Sequence, residues 1–231
     1  MTSWARLRTL VRRTLPLCAA SCTGGEPLTV GDALAPLWFE EFDGADGRMQ
    51  DHRSAWIHVF GQLTLQSATG AALSDPGSED WDDDYAYRPQ PGTDLIIAAD
   101  VYWDPADGVG VELICPPGRV HESLYELALY QDRLQLLRYD GGGDPRVYEV
   151  LDTTKPLGLS SGRYSLVMRA RHDGERWRLR GELRSPDSPT AVATLGVTRD
   201  STHGPSIGQG VGIYNVSEQA SRVYSIRVEG T

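Results

Sequence analysis

The feature that most constrains this chain is a cadence. From about residue 36, short runs rich in β-branched and aromatic residues recur roughly every ten positions, with Gly, Pro, Asp and Ser between them. The runs are Leu37–Phe42, Trp56–Leu65, Asp94–Trp103, Gly108–Ile114, Leu124–Tyr130, Arg133–Tyr139, Val147–Leu151, Arg163–Ala170, Arg176–Arg184, Ala191–Val197, Gly210–Val216 and Arg222–Val228. Even spacing with turn residues between runs predicts an all-β fold of two packed antiparallel sheets. Alternation is clearest in Arg176-Trp177-Arg178-Leu179-Arg180-Gly181-Glu182-Leu183, where Trp177, Leu179 and Leu183 are expected to face the core and the charges water. Trp56 is placed in the core as well. Two hairpins are signalled, at Tyr130–Arg133 and at His172–Glu175, the second through Asp173-Gly174, a pair suited to a type I′ turn. Gln66–Gly92 is the longest stretch without a clear run, so it is expected to be an irregular loop that is functional, mobile or both.

The organisation expected is a basic leader over 1–25, a linker over 26–35 and one sandwich over 36–231. The leader holds Arg6, Arg8, Arg12 and Arg13 and no acid, then an apolar stretch and Ala19-Ala20-Ser21-Cys22. That order fits a secretory signal, and Cys22 sits where a bacterial lipobox places its lipidated cysteine. The other reading is a retained arm. Export would put the protein outside the cell or lipid-anchored at a bacterial envelope. No apolar run is long enough for a membrane span. Cys115 has no body partner, and is expected to be a buried thiol.

The chain carries 22 Lys+Arg against 32 Asp+Glu, a formal −10. Setting aside the leader's four positive charges leaves −14 on the rest. A body this acidic, in which nothing is expected to form a basic stripe, predicts no nucleic-acid partner.

Three stretches together resemble the concanavalin A-like (laminin G-like) jelly roll, a superfamily of lectins and some glycoside hydrolases. The opening Trp38-Phe39-Glu40-Glu41-Phe42-Asp43-Gly44 followed by Trp56 resembles its first strand. Gly108-Val109-Gly110-Val111-Glu112-Leu113 with Tyr125-Glu126-Leu127-Ala128-Leu129 resembles its middle. Gly210-Val211-Gly212-Ile213-Tyr214 with Val223-Tyr224-Ser225-Ile226-Arg227-Val228 resembles its close. The resemblance implies a two-sheet antiparallel jelly-roll sandwich. Two departures stand out. The Glu-x-Asp-x-x-Glu run of relatives that cleave β-glucans is absent. The stretch that supplies a calcium-binding carboxylate in many relatives reads Ser221-Arg222-Val223-Tyr224 here.

Gly158-Leu159-Ser160-Ser161-Gly162 matches the hydrolase nucleophile pattern, but a strand-like run follows it where that mechanism needs a helix, so it reads as a turn. The five histidines show no paired spacing for zinc. The strongest local signal is acidic. Asp80, Asp82, Asp83 and Asp84 crowd around Trp81, and calcium would relieve their repulsion. They are not an EF-hand, because the sixth position is Tyr85 and the twelfth Pro91. Trp81, Asp84, Tyr85, Tyr87 and Trp103 form the expected sugar site, aromatic faces stacking on sugar rings and a carboxylate taking hydroxyls. Tyr102 and Trp103 point to opposite sides of one strand, so only one of them belongs to the core.

Three functions remain open at this point. The first is a non-catalytic carbohydrate-binding or adhesion module with a glycan partner. The second is an assembly subunit whose residues 1–36 contact further copies or another structural protein. The third is a glycoside-active enzyme with a carboxylate pair not marked by a motif.

Overall fold

The computed structural model describes residues 34–74, 83–105, 107–115, 123–140, 148–186, 188, 190–205, 209–216 and 221–231, without the side chains of 59, 60, 83–85 and 216. In chain order the elements are β1 (Ala35–Glu41), β2 (Gly47–Arg48), the one-turn α1 (Met49–His52), β3 (Ile57–Phe60), β4 (Leu63–Gln66), β5 (Ala71–Ser74) and β6 (Asp83–Pro89). Then come β7 (Asp94–Trp103), β8 (Gly108–Ile114), β9 (Leu124–Tyr130), β10 (Arg133–Tyr139) and β11 (Tyr148–Thr153). The chain closes with β12 (Gly162–His172), β13 (Trp177–Arg184), β14 (Ala191–Thr194), β15 (Thr198–Asp200), β16 (Gly210–Val216) and β17 (Arg222–Gly230). No helix among the described residues is long and apolar enough to cross a membrane.

The strands form two antiparallel sheets. A ten-stranded sheet runs β14-β13-β12-β7-β17-β5-β4-β2, with β1 beside β17 and β15 beside β13. A seven-stranded sheet runs β11-β10-β9-β8-β16-β6-β3. In β1 and β17 the register brings Ala35 opposite Gly230 and Glu41 opposite Ser225.

Alternation decides what lies between the sheets. From the larger sheet come Leu95, Ile97, Ala99, Val101 and Trp103 of β7, Leu166 and Met168 of β12, and Trp177, Leu179 and Leu183 of β13. Val109, Val111 and Leu113 of β8, and Tyr125, Leu127 and Leu129 of β9, answer from the smaller sheet. Gly181 continues the β13 row, and a methyl there would lie 2.3 Å from Leu127 Cδ1, so the two sheets meet too closely for any side chain. Cys115 is buried in this core, and burial pushes its thiol up to about 12, which keeps it protonated and unreactive.

Several expectations need correction. Gln66–Gly92 is not one irregular loop, because it contains all of β5 and β6. The small Ala71-Ala72 pair and the acidic start of β6 conceal strands whose places are fixed by pairing with β4, β16 and β3. The run Trp56–Leu65 is two strands that break at Gly61, which has positive φ, and Ala191–Val197 ends at Thr194, with β15 starting separately at Thr198.

The type I′ geometry also lies elsewhere. At Asp173–Arg176 only Gly174 has positive φ, and the Asp173 carboxylate accepts the amides of Glu175 and Arg176 in a four-residue loop. Gln131 and Asp132 both have positive φ, at 50° and 58°, and they form the two-residue β9–β10 turn. Asp132 tolerates that backbone because its carboxylate is used. Oδ2 accepts the Gly158 amide at 2.8 Å and Oδ1 the Leu159 amide at 2.9 Å. Asp132→Ala keeps the strained turn and orphans both amides, so it is expected to cost about 1.5 kcal/mol and lower Tm by about 3–6 °C. A thermal melt within 1 °C of the parent would remove this role.

Candidate functional site: a tyrosine-ringed glutamate pair

The outward residues of the seven-stranded sheet are the ones that skip the core. Across five strands one row reads Tyr87, Gly212, Glu112, Glu126 and Leu137. Glu112 and Glu126 are thus direct cross-strand partners, which sets their Cβ atoms about 4.5–5.5 Å apart. Like charges in that position are unfavourable, and here both residues are buried, at 1 % and 0 % exposure.

Glycines on the neighbouring strands make the room. A methyl on Gly212 would come within 2.3 Å of Glu112 Oε2, and one on Gly110 within 3.3 Å of Glu126 Oε1. Tyrosines surround the pair. The Tyr87 ring lies against Gly210 and that of Tyr214 against Gly110, since methyls there would approach them to 2.5 and 3.2 Å. Tyr139 and Tyr148 stack at 5.6 Å between centroids, and half-buried Tyr87, Tyr130 and Tyr148 pack on a small apolar cluster of Ile114, Leu124, Ala128, Leu137 and Tyr139.

Burial first, and the charge of Glu126 second, raise the Glu112 carboxyl well above the ordinary carboxylate range. Glu112 Oε1 has no hydrogen-bond partner among the described residues. A buried acceptor without a donor is costly to keep, and an apolar residue or Gln would be cheaper in a purely structural position. The arrangement can do two things: accept hydroxyl donors, or hold a proton on one of two facing carboxyls.

The residues expected to form the site fare differently. Tyr87 belongs to this face, and the β6 register sets Tyr85 opposite Tyr214. Asp83 and Asp84 are in the backbone of β6, while Asp80, Trp81 and Asp82 lie outside the described residues, as does Cys22. Among the described residues no group of three His, Cys, Asp or Glu is arranged to hold a metal ion. Trp103 is a correction. It is fully buried between the sheets, with Nε1 donating to the Asp107 carbonyl, so it cannot stack on a ligand, whereas Tyr102 is the partner facing outward. Nothing in the sequence marks Glu112 and Glu126 as a site, because they sit on separate strands and only the β8–β9 register joins them.

No family model matches the chain, and no curated protein matches it by sequence. Solved structures do match in shape. The carbohydrate-binding module CBM66 from Bacillus subtilis matches with a TM-score of 0.51 at 14% identity, over 76% of this chain and 96% of that one. Lectin II from Ulex europaeus gives 0.52 at 10% identity, over 84% and 99%. The fold is the concanavalin A-like jelly roll. A non-specific endo-β-1,3(4)-glucanase from family GH16 fits the same jelly roll with a TM-score of 0.52 at 8% identity, over 88% and 93%. Identities this low establish the jelly-roll architecture and leave function to the residues.

Proposed function

We propose that the protein is a non-catalytic carbohydrate-binding module whose glycan lies on the outer face of the seven-stranded sheet. The observation that carries this reading is the buried Glu112–Glu126 pair, with one acceptor oxygen unfilled, set within a ring of tyrosines on a glycine floor. Sugar hydroxyls supply the missing donors, and tyrosine rings cover the apolar faces of the sugar. Carbohydrate-binding modules and lectins among the structures of similar shape support the same reading. Residues 1–25 belong to the proposal as an export leader with Cys22 as the lipidated residue. The mass of the natural N-terminus tests that part, and a chain still beginning at Met1 removes it.

The main test is an array of neutral oligosaccharides probed with the parent, Tyr87→Ala and Glu112→Gln. The parent is expected to bind and both variants to lose at least tenfold in affinity, with the melting temperature of Glu112→Gln not reduced. An array blank for the parent overturns the reading and favours the assembly role.

The same pair supports a second reading. Retaining glycosidases place their two carboxyls about 5–5.5 Å apart and keep one of them protonated. The absence of a Glu-x-Asp-x-x-Glu run argues against turnover. Release of reducing ends from a β-glucan, lost in Glu126→Gln, would establish that reading instead.

A further inference from the structure

The opposite face of the sandwich carries a different chemistry. Arginines dispersed along β12, β13 and β15 are gathered by alternation onto the outer face of the ten-stranded sheet. Arg171 pairs with Arg178 across β12–β13, and Arg178 pairs in turn with Arg199 of β15. Two residues along, Arg169 faces Arg180. This corrects the expectation that nothing forms a basic stripe, since the stripe crosses strands and leaves no run in the sequence.

Counter-charge is incomplete. Glu182 is shared by Arg169 at 3.9 Å, Arg180 at 3.5 Å and Arg184 at 2.5 Å, and Asp94 reaches Arg171 at 3.7 Å. Arg178 and Arg199 make no ion pair within 4 Å among the described residues; the Asp173 carboxylate, paired with Arg176, feels Arg178 only at longer range, and Arg178 Nε is buried without a hydrogen-bond partner. Like charges directly opposite one another weaken a sheet, so the row Arg171–Arg178–Arg199 is held at a cost that an anionic ligand would relieve. Next to it on the same face is an open groove of about 470 Å³, lined by Phe39, Asp100, Ser165, Arg184, Ser225 and Arg227. Phe39 is 57 % exposed, and the Asp100 carboxylate accepts the hydroxyls of Ser165 and Ser225. Along β12 the face passes from the groove at Ser165 and Val167 to the arginines at 169 and 171.

We propose that this face is a second binding site, which takes an acidic polysaccharide, with its uronate carboxylates on Arg171, Arg178 and Arg199 and a sugar ring against Phe39. Guanidinium forks match carboxylates with two parallel hydrogen bonds. The charged row spans only three strands, about 10 Å, the width of a single narrow chain. Glu182, Asp94 and Asp100 lie between the arginines and accept sugar hydroxyls, and together with the formal −10 of the chain they repel a denser run of phosphates. The proposal is independent of the glutamate site, because it uses other residues on the other sheet.

The experiment is affinity electrophoresis of the full chain in polygalacturonate, with dextran as the neutral control and single-stranded oligothymidylate as the rival polyanion. Polygalacturonate is expected to retard the parent, and the double variant Arg178→Gln/Arg199→Gln to bind at least tenfold more weakly. Its melting temperature should stay level or rise, because two like-charge pairs are gone, whereas a merely structural role would lower it. Tyr87→Ala should bind polygalacturonate as the parent does, which separates this site from the glutamate face. Equal binding by parent and double variant overturns the proposal, as does oligothymidylate binding as tight as polygalacturonate. A dimer that the double variant breaks, with no retardation by the polysaccharide, assigns the face to self-association and overturns it as well.

Discussion

Asp200→Ala is expected to lower the melting temperature by roughly 6–20 °C. Asp200 is nearly buried and joins two elements that do not touch in sequence. Its Oδ1 accepts the Tyr125 hydroxyl at 2.6 Å and the Thr202 amide at 2.8 Å, and its Oδ2 takes the Arg138 guanidinium. Removing it leaves a buried hydroxyl without its acceptor and a guanidinium that keeps only Asp140 and Glu149. Breaking a buried pair from one side costs about 3–5 kcal/mol, and each kcal/mol moves Tm by about 2–4 °C in a domain of this size. The pH dependence follows from the carboxyl. Burial works to raise its pKa, but the Tyr125 hydroxyl, the Thr202 amide and Arg138 outweigh it, and the net shift is downward. A depressed carboxyl contributes stability above its unfolded pKa of about 3.9 and loses it as pH falls through the folded value. The gap between parent and Asp200→Ala should therefore be full at pH 6 and close progressively below about pH 4. Thermal melts across that range check it, and a gap that persists unchanged at the lowest pH would refute the ionic account.

Glu112→Gln is expected to act in the opposite direction. The Glu112 carboxyl is raised, so its contribution is complete below the unfolded pKa of about 4.3 and erodes as pH rises toward the folded value. Gln keeps the shape, cannot ionise and offers donors to Glu126. At pH 8 the variant should gain about 2 kcal/mol, or about 4–8 °C, while at pH 4 the two proteins should melt together. A variant that is destabilised at both pH values would show that the pair is not strained. Greater stability combined with weaker glycan binding is the trade expected where a site stores unfavourable charge for use.

The sequence revealed those parts of the fold that rest on local alternation. Six long strands, from β7 through β10 with β16 and β13, agree with their sequence runs to within a residue because each alternates large apolar with polar or small residues. β5 escaped notice because Ala71-Ala72-Leu73-Ser74 is buried on both faces and does not alternate. The turn geometry escaped notice because Asp-Gly is the commoner type I′ pair, whereas the Asp132 conformation is held by the distant amides of Gly158 and Leu159. Both proposed surfaces lie beyond a reading of the sequence for a shared reason. Glu112 with Glu126, and Arg178 with Arg171 and Arg199, become neighbours only through strand register. Clusters contiguous in the chain, such as the acids around Trp81, are visible in a sequence without knowledge of register.

The pairing of β1 with β17 bears on how this domain would respond to mechanical load. Ala35 and Gly230 leave the same end of one antiparallel ladder as register partners, about 5 Å apart. A pull applied between these two points loads the first rung alone, and the ladder opens one rung at a time like a zipper. Strands drawn past each other lengthwise would instead share the force across every rung. A chain held at both ends would peel β1, and Phe39 with it, from the ten-stranded sheet before the glutamate face was disturbed. The same closeness lets the sandwich be grafted into a surface loop of a host protein without spreading that loop, which makes single-molecule stretching of such a graft a direct way to measure how little force the first rung withstands.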